Sequence, residues 1–289
     1  MTMNTIYIPE RFTRVVATHV AKNLMSAQIP QSPLILGIHG PSGCGKTFQC
    51  EHILRGIGAK TFLISGGQLE SKDAGEPANL IRRTYINAGY AIDNKETKTA
   101  VILMNDVDTG LGDWGQFVQT TVNRQAVFGE LMHLVDYPTI VDGKDTKRIP
   151  IIMTGNDFTK LYEPLVRAGR MTAFEWLPNL EEQTKIVSQI FREFSEQQCT
   201  DIIQELEEFL RGISDTGQLQ TAFFTHLRAT VYDDVIWAAL KQRGIDRAIS
   251  EIAAGHQPKL NNSLSYEQIL RKGKELITSG QLINHLRGK

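Results

Sequence analysis

Nowhere in the 289-residue chain does an uninterrupted apolar run reach the roughly 18 residues that a membrane-spanning helix requires, so no segment reads as a membrane span. Cysteine is scarce, with only Cys44, Cys50 and Cys199. Their odd number argues against a disulfide framework and their spacing matches no metal-ligand pattern, which fits a reducing compartment. Neither sign of charge is in excess: 31 Lys and Arg stand against 32 Asp and Glu, a net charge of −1. The chain therefore lacks the overall basic footprint of non-specific nucleic-acid binding, although a local basic face stays open. Residues 1–9 have neither the basic-plus-apolar layout of a secretion signal nor the Arg/Ser-rich amphipathic character of a transit peptide. Unless a leader has been removed, the expected setting is the cytoplasm, with a bacterial source as the default. No internal repeat or low-complexity tract interrupts the chain. What remains is the composition of an ordinary soluble globular protein, long enough for one large or two smaller domains.

Against that plain background one stretch stands out. Gly40, Pro41, Ser42, Gly43, Cys44, Gly45, Lys46 and Thr47 fit the phosphate-loop pattern G-x-x-x-x-G-K-[ST]. Glycines let backbone N–H groups turn toward phosphate oxygens, a lysine reaches the β- and γ-phosphates, and a threonine hydroxyl suits Mg²⁺. The setting agrees: Leu34 to His39 reads as a buried strand, and Thr47 to Leu54 as a helix whose positive end faces the phosphates. The segment from Gly40 through Phe48 is thus the expected ATP contact. Cys44 lies near a helix N-terminus, where a thiol pKa can fall, so its oxidation is one expected way to block ATP binding; the plainer reading is a tolerated small residue.

The periodicity predicts a leading amphipathic helix over 10–25, with Phe12, Val16, Val20 and Leu24 on one face. Strands are predicted over 60–65, 100–104, 149–154 and 173–176, and helices over 78–92 and 121–135. Such alternation implies a parallel sheet covered on both faces. After a hinge at Leu177-Pro178-Asn179 only helices are predicted, over 181–194, 200–212, 221–242 and 266–286, with a loop over 254–263. The expected architecture is an α/β nucleotide-binding subdomain over 1–178 followed by an all-helical subdomain over 179–289.

A phosphate loop needs an acidic partner at the end of a neighbouring strand to hold Mg²⁺ and orient the attacking water. Ala100 to Met104 followed by Asn105, Asp106 and Asp108 supplies it. The usual Walker B form ends in Asp-Glu, and here those places carry Asn105 and Asp106. Asp106 takes the metal or the water, both roles staying open, and Asp108 is an outer candidate. A further apolar run ends in Asn156, the place of the sensor 1 residue in ATPases of the AAA+ class. Arg167 and Arg170 follow where that class carries arginine fingers that reach the γ-phosphate of the next subunit, with Arg170 the first candidate and Arg167 sharing the role or only holding the interface. A solvated pair at a helix end is the ordinary alternative.

The segments Ser65-Gly-Gly-Gln-Leu-Glu-Ser-Lys-Asp-Ala-Gly-Glu-Pro77, Met104-Asn-Asp-Val-Asp-Thr-Gly110, Pro150-Ile-Ile-Met-Thr-Gly-Asn-Asp-Phe158, Pro164-Leu-Val-Arg-Ala-Gly-Arg-Met171 and Leu227-Arg-Ala-Thr-Val-Tyr-Asp-Asp234 closely resemble the Rubisco activase family, over about residues 30–240. The resemblance implies an AAA+ fold and a homo-oligomeric ring, typically a hexamer, that uses ATP and Mg²⁺ to remodel Rubisco blocked by tightly bound sugar phosphates. No nucleic-acid or membrane partner is implied. By the same resemblance Arg228 takes the sensor 2 position, although a second arginine of the plant pattern is here Thr230. Central-pore loops map onto 69–77, with Leu69, Glu70 and Ser71, and onto 110–119, with Leu111, Trp114 and Phe117. Exposed apolar side chains there suit gripping an extended peptide, while packing of Trp114 into the core is the alternative. Residues 238–255 correspond to the element that recognises Rubisco. The short N-terminus, and an end at Lys289 without a domain like the Rubisco small subunit, suggest a cyanobacterial type, naturally short or truncated, in the cytoplasm or associated with carboxysomes.

Three rival readings have distinct requirements. A DNA-linked AAA+ protein needs a basic stripe or a DNA-binding appendage. A small-molecule kinase with the same loop has turnover independent of protein concentration. A scaffold that holds ATP only for shape has no use for Lys46, Thr47, Asp106 and Arg170 together.

Overall fold

Central strands with almost no polar alternation set the architecture of the first half of the chain. In the computed structural model, which describes residues 6–70, 73, 75–111, 121–214, 217–256 and 264–279, β1 (Ile35–His39), β2 (Lys60–Ser65), β3 (Ala100–Asn105), β6 (Ile151–Thr154) and β7 (Met171–Glu175) form one parallel sheet in the order β2-β3-β6-β1-β7. Side chains alternate across a strand. Ile102 and Met104 of β3, with Ile151 and Met153 of β6, enter the apolar cluster on one face, whereas Val101, Leu103 and Ile152 enter the cluster on the other. Both faces are buried, so these strands are apolar throughout, as parallel sheets require.

Helices α1 (Glu10–Leu24) and α2 (Lys46–Gly56) cover one face, burying Phe12, Val16, Cys50 and Leu54 with Trp176. Helices α3 (Glu76–Asp93) and α5 (Thr121–Asp136) cover the other, through Ile81, Tyr85, Val127 and Leu131. Two short helices, α4 (Val107–Leu111) and α6 (Glu163–Val166), follow β3 and precede β7. A two-stranded ribbon of β4 (Ile140–Val141) and β5 (Lys144–Asp145) turns through Asp142 and Gly143, both left-handed at φ 51° and 72°. That Asp-Gly pair is the signature of a two-residue hairpin turn.

The chain divides into two compact units, Ile8–Leu177 and Pro178–Lys289 together with Met1–Tyr7. In the second, α7 (Leu180–Ile190), α8 (Glu196–Arg211), α9 (Thr221–Val231), α10 (Asp233–Arg243), α11 (Ile245–Ala253) and α12 (Tyr266–Thr278) carry all the regular structure among the described residues. Asn179 with Glu182, Ser195 with Gln198 and Ser265 with Gln268 form reciprocal capping boxes that start α7, α8 and α12. Val187, Phe191, Leu206, Phe224, Leu227 and Ile269 meet in its core.

Several boundaries differ from the sequence expectation. The helix expected over 221–242 is two helices, parted at Tyr232, whose N–H bonds Ala229 at i−3 in place of i−4. Asp233 and Asp234 then supply the acidic first turn of α10, favourable at a helix N-terminus. Helix α11 was not anticipated; left-handed Gly244 (φ 82°) separates it from α10, and only Ala248 of α11 is buried. The last strand starts two residues earlier than expected, at Met171, and Trp176 lies beyond it, although its N–H still bonds the His39 carbonyl at 2.7 Å. Helix α4 and the ribbon are too short to show a period.

His19 of α1 is buried beside the backbone of Ile151 and Leu34 and near Arg148, and burial holds its pKa down at about 4 against an ordinary 6.5. The folded chain therefore binds fewer protons than the unfolded chain between those values, so stability falls as the pH drops from 6.5 toward 4. By about 1.4 kcal/mol per pKa unit the loss is on the order of 3 kcal/mol. We expect His19→Asn to flatten this part of the curve of Tm against pH; an unchanged slope would remove His19 as its source.

Candidate nucleotide site

The phosphate loop is shaped by three glycines that only glycine suits. Gly40, Gly43 and Gly45 take φ of 141°, 80° and 81°. A Cβ on Gly40 would also overlap the Trp176 carbonyl, and Trp176 donates from its indole Nε1 to the Cys44 carbonyl at 2.9 Å. The loop is thus pinned from below by a fully buried tryptophan. Among the described residues no backbone carbonyl accepts from the N–H groups of Lys46, Thr47 and Phe48. Those donors ring the N-terminus of α2, where the helix dipole adds positive potential, and they form a cradle suited to phosphate oxygens.

Lys46 closes the cradle. Only 7% exposed, its Nζ donates to the carbonyls of Gly40 (2.8 Å) and Pro41 (2.9 Å) and to Asn156 Oδ1 (3.1 Å). A cation held by neutral oxygens and a neutral thiol is ready to turn to an anion. Because β1 lies beside β6, and β6 beside β3, the turns after all three strands share one end of the sheet. Gly40 N–H bonds the Asn156 carbonyl at 3.2 Å. The hydroxyls of Thr47 and Thr154 lie 3.1 Å apart, and Thr154 Oγ1 is 3.4 Å from both Asn105 Oδ1 and the Asp106 N–H. Lys46, Thr47, Asn156 and the turn at Asp106 are therefore brought together at one end of the sheet, a set that suits a nucleoside phosphate.

Two anchors hold this end of the sheet. Asp108, wholly buried, accepts from the N–H groups of Asn156 (2.9 Å) and Asp157 (3.1 Å), which fixes the turn that carries Asn156. Gly155 has no side chain because one would meet Asp108 Oδ1 at 2.6 Å. Asp106 is exposed and left-handed, with φ 52°. Its carbonyl accepts from the N–H (3.1 Å) and hydroxyl (2.7 Å) of Thr109 and lies against Gly66, which has no room for a side chain. Sequence reasoning missed Thr154 as the link between Thr47 and the Asp106 turn; its only signal is one hydroxyl closing an apolar strand. Phe48 points outward, 54% exposed, and stacks on His52.

The expected arginines have partners and surroundings of their own. Arg167 and Arg170 occupy the turn before β7; Arg167 is exposed, while Arg170 pairs with Asp136 at 3.2 Å. Arg228 of α9 makes two 2.7 Å bonds to Glu193, and this contact lowers the Glu193 pKa and raises that of Arg228. Of the expected pore-loop positions, Leu69 and Leu111 are buried in the sheet core, which corrects their reading as exposed gripping side chains: each packs at the base of its loop. Glu70 is exposed. Ser71, Trp114 and Phe117 lie outside the described residues.

Cys44 is also corrected. Desolvation pushes its thiol pKa up in spite of Lys46 Nζ at 3.8 Å, so a helix N-terminus does not activate it. Burial likewise raises Cys50 and Cys199. A disulfide-exchange reagent is expected to label none of the three in the folded protein and all three after denaturation; rapid labelling of native Cys44 would contradict this.

A five-stranded parallel sheet with a phosphate cradle after its β1, an acidic turn after β3 and an asparagine turn after β6 defines a P-loop nucleotide-binding protein. The match of residues 36–179 to the model of the ATPase family associated with various cellular activities (AAA) fits that description, and the chain belongs to this AAA family. Its relatives are Rubisco activases. The ribulose bisphosphate carboxylase/oxygenase activase of Nostoc sp. is 42% identical over 248 residues, covering 83% of this chain and 58% of that protein. The chloroplastic activase of Zea mays is 36% identical over 298 residues, covering 98% of this chain and 65% of that protein. That of Chlamydomonas reinhardtii is 37% identical over 282 residues, covering 94% and 66%. The chain spans about three fifths of the length of the relatives it matches.

Proposed function

We propose that this chain hydrolyses ATP with Mg²⁺ in a homo-oligomeric ring, a hexamer, and that the cycle remodels Rubisco to release tightly bound sugar phosphates. The observation that carries the reading is the Lys46, Thr47, Asn156 and Asp106 constellation on a chain 42% identical to a Rubisco activase. The same relationship favours this reading over a DNA-linked ATPase, and it fits a cytoplasmic or carboxysome-associated setting.

Bound Mg·ATP supplies the phosphoanhydride to be cleaved and screens charge on its β- and γ-phosphates. Lys46 leaves the loop carbonyls to hold the phosphates, and residues 40–48 wrap them with backbone N–H groups. Thr47 holds the cation, and Asp106 holds it too or orients the attacking water. Asn156, steadied by Asp108, positions that water. Arg167 and Arg170 belong to the rim that completes the site of the next subunit, and Arg228 reports the γ-phosphate from the helical lobe, residues 179–289, to the α/β lobe, residues 1–178. Glu70, Ser71, Trp114 and Phe117 engage Rubisco. Only a difference in Rubisco contact between nucleotide states can drive remodelling.

The test uses sugar-phosphate-inhibited Rubisco. The wild-type chain with ATP is expected to restore carboxylation. Trp114→Ala combined with Phe117→Ala is expected to keep ATP turnover and Tm while losing reactivation. Restoration by the double variant at the wild-type rate would remove those two side chains from the mechanism, and loss of Tm, turnover and reactivation together would mark them as core.

A further inference from the structure

The two arginines before β7 sit at opposite corners of one turn in very different surroundings. The Arg170 N–H bonds the Arg167 carbonyl at 3.2 Å, and Gly169 between them has φ 94°, the left-handed backbone that the third position of such a turn demands. The turn is therefore rigid, and what fixes one corner fixes the other. Arg167 caps the end of α6 with its side chain in solvent. The Arg170 side chain is only 18% exposed. Its Nη1 donates to the Pro164 carbonyl at 3.0 Å and lies 3.4 Å from Met132 Sδ, and its Nη2 donates to Asp136 Oδ2 at 3.2 Å. Met132 and Asp136 lie on the last turns of α5, so Arg170 ties α5 to the start of α6.

From this geometry we infer that Arg167 alone crosses to the neighbouring nucleotide and that Arg170 is a positioning residue, locked to Asp136 of its own chain, that holds the turn presenting Arg167. The inference rests on the proposed action across subunits. A guanidinium with one carboxylate and one carbonyl already bonded must break both to reach a second chain, whereas Arg167 has only to extend. Freeing Arg170 should then loosen the turn and misplace Arg167, since small displacements of a transition-state group are costly.

The near-isosteric substitution Asp136→Asn, which removes the carboxylate charge from Arg170, separates the two assignments by the sign of its effect. If Arg170 only positions, Asp136→Asn and Arg170→Ala are both expected to lower kcat about tenfold with KM for ATP unchanged, and Arg170→Lys, which keeps a cation for Asp136, to recover part of the loss. Arg167→Ala is expected to fall on the order of a thousandfold, and adding Asp136→Asn to it to cost nothing more, because Asp136 acts through Arg167. Wild-type or faster turnover by Asp136→Asn beside an inactive Arg170→Ala would overturn the inference, since a released Arg170 would then be the group that crosses. Losses that multiply in the Arg167→Ala, Asp136→Asn double variant, with a matching fall in Tm, would overturn it in favour of a fold-stabilising pair. Normal turnover by Arg167→Ala, with a specific rate independent of protein concentration, would instead refute the action across subunits on which both assignments depend.

Discussion

Lys46→Ala is expected to lower ATP turnover at least a hundredfold and to weaken nucleotide binding with it. The lysine is buried and bonded to neutral groups, the oxygens of Gly40, Pro41 and Asn156 and the Cys44 thiol, so no carboxylate among the described residues pairs with it. A charged donor aimed at transferring phosphate in a shielded site contributes about 3–4 kcal/mol to the transition state, which is a factor of a hundred to a thousand. The fold should survive, because Pro41 and Asn156 are exposed and water can replace the ammonium at their oxygens. A comparison of ATP titration with steady-state turnover and Tm checks all three statements. Turnover at the wild-type rate would remove the loop from the chemistry.

Asp106→Asn is expected to separate binding from hydrolysis. Asp106 holds a left-handed backbone at φ 52°, and asparagine tolerates that region better than most residues, so the turn, its Thr109 bonds and the contact with Gly66 are kept. Only the charge is lost. ATP should still bind within a few-fold of the wild-type affinity, while turnover falls on the order of a hundredfold or more. Asp106→Ala is a poorer probe, since alanine adds strain of about 1 kcal/mol or more at a left-handed position and would mix a folding effect with a chemical one. Unchanged hydrolysis by Asp106→Asn would move the acidic role to another group.

The strand ends explain how much of this was legible. Ile102 to Met104 and Ile151 to Met153 alternate between two buried faces, so their sequence is apolar without a break, and the residue at which each run turns polar marks the end of the sheet that carries the site. The phosphate loop was legible for the same reason that it is rigid: glycine is needed where φ is positive, and lysine where phosphate charge must be met. Helices α10 and α11 were not. The first buries no residue and the second only Ala248, so no apolar stripe tells where one stops and the next begins. Thr154 and Trp176 were missed for another reason. A hydroxyl at a strand end, and a tryptophan whose carbonyl and indole brace a loop 132 residues away, act through contacts that exist only after folding. Leu111 shows the converse, a leucine beside glycines that looks exposed in sequence and is buried under the sheet.

The central claim is that ATP hydrolysis at this site does mechanical work on Rubisco, and the most direct measurement is the rate at which sugar-phosphate-inhibited Rubisco regains carboxylase activity, followed in parallel with phosphate release. With the wild-type chain and ATP, both should proceed. With Asp106→Asn and saturating ATP, which fills the site without turnover, Rubisco should stay inhibited. Reactivation by that variant at the wild-type rate would contradict the account, because binding alone would then suffice.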